Sequence, residues 1–184
     1  MRIFRAVASS GPLLRASIRV ARPSDVAELN EIERRAQALF RPYGLEPEFA
    51  AHLVETAVLR SAQRSGRLFV ATDPADAPIG FSLVTRLPPW AQLAEIDVVP
   101  EWGRRGVGTA LVQRAIDWAR AAGFPALVLS TMRDVPWNAP FYRRLGFRVL
   151  ATESLPPELR RLRAEEARRG LPVADRVIMK LELS

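Results

Sequence analysis

Two short stretches hold most of the residues whose types and spacing suit chemistry. The first is Ile96-Asp97-Val98-Val99-Pro100-Glu101-Trp102-Gly103-Arg104-Arg105-Gly106-Val107-Gly108-Thr109-Ala110-Leu111. A strand pattern ends at a proline, a basic glycine-containing loop follows, and a helix opens directly from that loop. Gly106 and Gly108 let backbone N–H groups approach a ligand without side-chain obstruction. At a helix start those N–H groups lack carbonyl partners, and the helix dipole adds positive potential beside them. Arg104 and Arg105 contribute two guanidinium charges. The chemistry of such a pattern is capture of a pyrophosphate, although the same glycines also suit a plain strand-to-helix turn. No Gly-Lys-Ser/Thr follows and no third glycine holds the dinucleotide position, which sets the usual nucleotide loops aside.

The second stretch is Asp134-Val135-Pro136-Trp137-Asn138-Ala139-Pro140-Phe141-Tyr142-Arg143-Arg144-Leu145-Gly146-Phe147. Asn138 suits a helix N-cap, and Pro140 is tolerated in a first turn. Asn138 and Tyr142 are four apart and share a helix face. Gly146 is placed to end that helix. Upstream, Glu95 and Asp97 alternate along a strand, so both side chains face one way.

The elements that must position these residues read as one α/β domain. Ser17–Ala21 alternates like a strand, followed by a helix in which Asp25 and Glu28 have capping-box character. Val26, Leu29, Ile32, Ala36 and Phe40 recur at helical spacing, and Arg41-Pro42-Tyr43-Gly44 breaks the helix. A second helix is expected from about Glu46 to Gln63, with Phe49, Leu53 and Ala57 on one side. Strands are expected at Leu68–Ala71, Ile79–Leu87, Leu93–Val99, Ala126–Ser130, Phe147–Leu150 and Arg176–Leu183. Gly106–Ala122 is an amphipathic helix with Leu111, Ala115, Trp118 and Ala122 on one face, closed by Gly123. Asn138–Leu145 and the charged Leu159–Arg169 complete the helices, and no internal repeat or linker is visible. Residues 1–16, with arginines and no acid, read as a frayed extension ahead of a domain over residues 17–184.

Composition narrows the classes. The 184 residues suit a single core. There is no cysteine, which removes thiol nucleophiles, disulfides and thiolate metal sites. The single histidine, His52, excludes a histidine-rich metal centre and reads as an ordinary helix residue, so no metal is expected. No apolar run approaches the roughly 20 residues of a membrane span, and a cytoplasmic location is expected. The net charge of +7 is almost wholly arginine, with Lys180 the only lysine. The arginines are spread over several segments and no zinc-finger or RNA-recognition signature is visible, so the basic balance reads as a solvated surface and nucleic acid as an unfavoured partner.

The strand–Val-x-Pro–Arg-Arg-x-Gly-x-Gly–helix block followed by Asn-x-x-Phe-Tyr-x-x-x-Gly-Phe resembles the GNAT superfamily, the Gcn5-related N-acetyltransferases. The resemblance covers residues 17 to about 150 and the last strand. Gly103 departs from it, standing where glutamine or arginine is usual, and Arg104 stands where glycine is common. The resemblance implies a mixed, mostly antiparallel sheet, splayed at its centre and flanked by helices. It implies acetyl-CoA as co-substrate, with Val98 and Val99 offering main-chain contacts to the pantetheine arm. Arg104, Arg105, Gly106, Val107, Gly108 and Thr109 would cradle the pyrophosphate, and Asn138 would contact the arm near its middle.

In that setting Tyr142 is the candidate general acid toward the departing thiolate, with packing beside Phe141 as its other role, and Glu95, or else Asp97, on the strand bordering the gap, is the candidate base, directly or through water. With no cysteine, direct transfer is favoured over a covalent acyl-enzyme. The implied acceptor is a small-molecule or protein amine, set by Leu39–Glu48 and the C-terminal segment. Phe40, Tyr43 and Phe49 suit an aromatic pocket and equally suit core packing. Residues 156–172 read as a solvated helix, with a lid or a homodimer contact as the other roles. Two alternatives of other classes stay open: a non-catalytic acyl-CoA-binding module and a nucleic-acid-associated modifier.

Overall fold

The computed structural model of the chain describes residues 16–45 and 52–183. Strands β1 to β7 are Ser17–Val20, Leu68–Thr72, Pro78–Leu87, Trp90–Val98, Ala126–Met132, Arg148–Val149 and Arg176–Glu182. Helices α1 to α5 are Val26–Gln37, Thr56–Arg64, Val107–Ala121, Ala139–Arg144 and Pro157–Arg168. The strands form one sheet in the order β1-β2-β3-β4-β5-β7-β6. Every neighbouring pair is antiparallel except β4 with β5. The architecture is thus the expected α/β one, a mixed and mostly antiparallel sheet flanked by helices.

The largest hydrophobic core joins α1, α2 and α3 to the sheet through Leu29, Leu59, Phe69, Phe81, Leu111 and Leu127. Burial of each such side chain contributes roughly 1.5–3 kcal/mol. On α3 the buried stripe is Leu111, Val112, Ala115, Ile116 and Ala119. Trp118 is only half-buried, stacking on Phe124 at 5.8 Å, and Ala122 is exposed, so the apolar face lies to one side of the expected one. A smaller core of Val128, Leu155, Leu159 and Ile178 seats α5 on the sheet. Helix α5 is therefore docked along one side, not solvated all round.

Local details depart from expectation for physical reasons. Asp25 does not cap α1 with its side chain. Its carboxylate instead accepts from Arg19 at 2.6 and 3.0 Å and from the Arg22 amide at 2.6 Å, joining β1 to the helix start. Residues 52–55 are not helical, and α2 begins only at Thr56, burying Leu59 and Ala62 while Ala57 is exposed. The expected earlier helical turns and Phe49 lie outside the described residues, and His52 is in a non-helical strap rather than a helix. After Gln37 the chain tightens into a 3-10 segment, Ala38–Tyr43, closed by Gly44 at φ 68°. Strand β4 starts three residues before its expected start, because Leu87 already pairs with Trp90 across the two-residue turn Pro88-Pro89. Among the described residues no helix is long and apolar enough to cross a membrane.

Candidate active site

The site forms where β4 and β5 part. Their pairing covers only Ala91 with Leu127 and Gln92 with Val128. Just beyond, Leu93 pairs with Val84 and Glu95 with Leu83, leaving Ala94 as an extra residue. Such a bulge bends a strand and increases its twist, and β4 leaves β5 at this point. The Val99 N–H donates to the Ile79 carbonyl at 3.0 Å. Backbone groups alternate sides along an antiparallel pair, so those of Glu95 and Asp97 point toward β3. Those of Ile96 and Val98 point into the gap, with the Ile96 N–H only weakly engaged by Glu95 Oε1 at 3.3 Å. Val99, named with Val98 as a main-chain contact, has its N–H committed to Ile79 and its carbonyl to the Trp102 amide.

Gly80 keeps β3 close to this strand. A Cβ there would lie 2.7 Å from the Asp97 carbonyl oxygen. One end of the gap is closed by the loop into α3. Gly106 sits at φ 82°, a conformation glycine adopts without cost, and Arg104 holds a left-handed φ of 57° where glycine would be more comfortable. Gly103 has ordinary extended angles. The side chains of Arg104, Arg105 and Thr109 are exposed, whereas Val107 is buried and can offer only its backbone. The Arg105 guanidinium lies 5.2 Å from the centre of the Trp102 ring. Phe141 of α4 reaches to within 3.8 Å of where a Gly108 Cβ would be, bringing the second motif against the first.

Across the gap, Asn138 precedes α4 without capping it through its side chain. Its Oδ1 is buried and has no partner. Tyr142 is 5% exposed, held edge-on by Phe141 and Phe147 at 5.1 and 5.7 Å. Burial, followed by Glu95 and Asp97, pushes the Tyr142 phenol above its usual pKa of 10. The structure therefore brings Tyr142, Glu95 and Asp97 into one electrostatic group.

A third carboxylate, which the sequence reading missed, joins them. Ser82 bonds the Leu111 carbonyl on α3 at 3.5 Å, so Ile96 opposite it faces α3, and Glu95 and Asp97 face α1. There Glu33, 1% exposed, meets them, and carboxylate oxygens of Glu33, Glu95 and Asp97 lie within 4.8 Å of one another. Burial and then repulsion from Glu95 push the Glu33 carboxyl up to about 8. Burial also raises Glu95, partly offset by the Ile96 amide, Arg176 and Arg169. Asp97 stands well above the carboxylate range, through burial and then repulsion from Glu95 and Glu33. Glu33 also accepts from the Val54 amide at 3.1 Å, and Asn30 bonds the Val54 carbonyl at 2.8 Å. The strap over residues 52–54 is thereby tied to α1, while Arg169 at the end of α5 donates to the His52 carbonyl at 3.3 Å.

An aromatic cluster follows α1 and meets the residue before Asn138. Trp137 meets Phe40 and Tyr43 edge-on at 5.7 and 5.5 Å. Phe40 and Tyr43 were legible as candidates, and Trp137 and Glu33 were not. The signal for Glu33 was present, since Leu29, Glu33 and Gln37 follow one another at helical four-residue steps along the apolar face.

These features agree with the comparisons to known proteins. Residues 26–147 match the model of the acetyltransferase (GNAT) family, and the chain belongs to that family. It is 39% identical over 57 residues to an uncharacterized N-acetyltransferase of Methanocaldococcus jannaschii, covering 31% of this chain and 25% of that protein. It is 34% identical over 67 residues to streptothricin acetyltransferase A of Bacillus subtilis, covering 36% and 38%. The chain thus matches well under half the length of these curated relatives. Among solved structures, PaiA N-acetyltransferase from Thermoplasma acidophilum in complex with coenzyme A superposes with a TM-score of 0.65 at 16% identity. That match covers 92% of this chain and 99% of the other.

Proposed function

We propose that this acetyltransferase moves an acetyl group from acetyl-CoA to a primary amine, small-molecule or protein-borne, by direct attack in a ternary complex. The observation that carries this reading is the parting of β4 from β5. It leaves the backbone groups of Ile96 and Val98 open in a gap ending at the α3 N-terminus, with Tyr142 and the carboxylates beside it. Asn138 Oδ1, buried and unpaired, fits an amide N–H of a pantetheine arm. Arg104, Arg105 and the amides of Gly106, Val107, Gly108 and Thr109 would hold the pyrophosphate. Acetyl-CoA supplies a thioester carbonyl as electrophile and a thiolate as leaving group.

The Val98 N–H would stabilise the oxyanion. Glu95 or Asp97 accepts the amine's proton, and Tyr142 supplies one to the sulfur. Calorimetric titration with acetyl-CoA tests the reading. Micromolar binding by the wild type, lost in Gly106→Trp, is the expected result. A folded wild type that binds no acetyl-CoA and releases no thiol with any amine would overturn it.

A further inference from the structure

Among the described residues, the buried side-chain polar atoms without a partner are Gln37 Oε1, Asp97 Oδ2 and Asn138 Oδ1. Each is an oxygen that can accept a hydrogen bond from a bound ligand. Asn138 is accounted for by the arm. Gln37, 7% exposed, follows Glu33 by one helical turn on the same buried face of α1. Gln37 thus lies one turn along α1 from a cluster of three carboxylates, Glu33, Glu95 and the unpaired Asp97, whose protein donors are few. The Val54 amide and Asn30 reach Glu33, and the Ile96 amide reaches Glu95. A buried acceptor left unpaired costs about 1–3 kcal/mol, and the two that remain, Asp97 within the converging carboxylates and Gln37 one turn from Glu33, call for a ligand rich in N–H. One helical turn on from Gln37, the chain presents Phe40 and then Tyr43, whose rings meet Trp137, 38% exposed. Aromatic faces attract organic cations as well as hydrocarbon.

We propose that the acceptor is a basic alkylammonium ion, with its –NH3+ seated among Glu33, Glu95 and Asp97 and its hydrocarbon body against Phe40, Tyr43 and Trp137. This rests on the acetyl-transfer reading above and names the acceptor class that reading leaves open. An ammonium has three donors for the three carboxylates, which lie close enough together for one nitrogen to touch all of them. A peptide N-terminus or an amino acid brings a carbonyl or carboxylate oxygen that the cluster repels. An arylamine is uncharged at neutral pH and leaves the carboxylates uncompensated.

The charged and titratable groups facing the pocket are Glu33 on α1, Glu95 and Asp97 on β4, and Tyr142 on α4. Arg169 follows α5, and Arg176 opens β7. With the pocket empty, burial and mutual repulsion hold protons on the cluster, and a seated cation releases them. The ammonium then gives one proton to a carboxylate of the cluster, the nitrogen bonds to the thioester carbon, and the C–S bond breaks. Tyr142 protonates the sulfur and recovers a proton from the nitrogen through water. One amide, one thiol and one free proton result per ammonium and thioester consumed.

The test compares n-hexylamine with alaninamide and aniline as acceptors, and measures n-hexylamine binding calorimetrically in phosphate and in imidazole buffer near pH 7. The expected results are kcat/KM at least about tenfold higher for n-hexylamine and proton release on binding. Glu33→Gln keeps a carbonyl for the Val54 amide and should keep the wild-type fold, checked by its melting curve. It should raise KM for n-hexylamine about tenfold, as loss of a charged hydrogen bond predicts, with kcat less affected and proton release reduced. Asp97→Asn provides the second variant and should also weaken n-hexylamine binding. Preference for alaninamide or aniline by an enzyme that still binds acetyl-CoA would overturn the inference alone. Saturable Mg2+ or Ca2+ binding lost in Glu33→Gln, with no n-hexylamine binding, would overturn it in favour of a metal site. Failure to bind acetyl-CoA would instead overturn the underlying reading.

Discussion

Tyr142 is an acid whose surroundings oppose its ionisation. Burial and the neighbouring Glu95 and Asp97 keep its phenol protonated throughout the physiological range. A cation arriving beside those carboxylates removes part of that opposition, so the proton becomes easier to give when the amine is present. Tyr142→Phe should lower kcat by about a hundredfold with KM for the amine little changed, as loss of a general acid predicts, and a thiol-release assay reads both. Glu33 carries a signature in stability. Its carboxyl rises from 4.5 in the reference state to about 8 in the fold. Between those pH values the folded protein retains a proton that the unfolded chain has released, so stability falls as pH rises. Urea midpoints measured from pH 5 to 8 should decline, and the decline should be shallower in Glu33→Gln.

At the level of elements, the parting of β4 from β5 depends on close backbone contact on the other side of β4. Gly80→Ala would force a Cβ against the Asp97 carbonyl. It should cost about 1–3 kcal/mol, the usual range for overpacking, and weaken acetyl-CoA binding with it. Helix α5 is fixed by a buried polar set: Glu166, 7% exposed, accepts from Ser130 at 2.9 Å and from Arg176 at 3.0 Å. Glu166→Ala leaves Arg176 facing a buried void and should cost about 3–5 kcal/mol, visible as a large drop in melting temperature.

The local motifs were the legible part of this architecture. The loop from Val99 to Gly108 and the Asn138–Tyr142 helix turn are written in contiguous residues, and both form close to their expected bounds. What depends on non-local pairing was not legible. The Ala94 bulge has no sequence mark, since any residue can be the extra one. Glu33 sits in a run of charges, Glu31-Ile32-Glu33-Arg34-Arg35, that resembles a solvated face until β4 is placed opposite it. Asp25 looked like a cap because caps are local, yet Arg19 and Arg22 claim its carboxylate across the turn.

On the scale of the whole molecule, a chain of net charge +7 contains a cluster of three carboxylates. The two ligands of the reaction therefore meet opposite fields. An anionic CoA would approach a net basic molecule with Arg104 and Arg105 exposed at the loop, whereas the proposed cationic amine would reach the carboxylates against that net charge. Raising ionic strength screens the long-range attraction. The association rate of acetyl-CoA should fall as salt rises, and stopped-flow fluorescence of Trp102 and its neighbours can follow it.

The strap over residues 52–54 is a beam pinned at both ends, by Arg169 to α5 and by Glu33 to α1. One of those pins, Glu33, also belongs to the proposed acceptor pocket. Whatever changes the charge on Glu33 changes the strength of its grip on the Val54 amide, so the pocket's contents register outside it. If the proposed pocket fills, the exchange rate of that one amide proton should report its occupancy, readable without following any turnover.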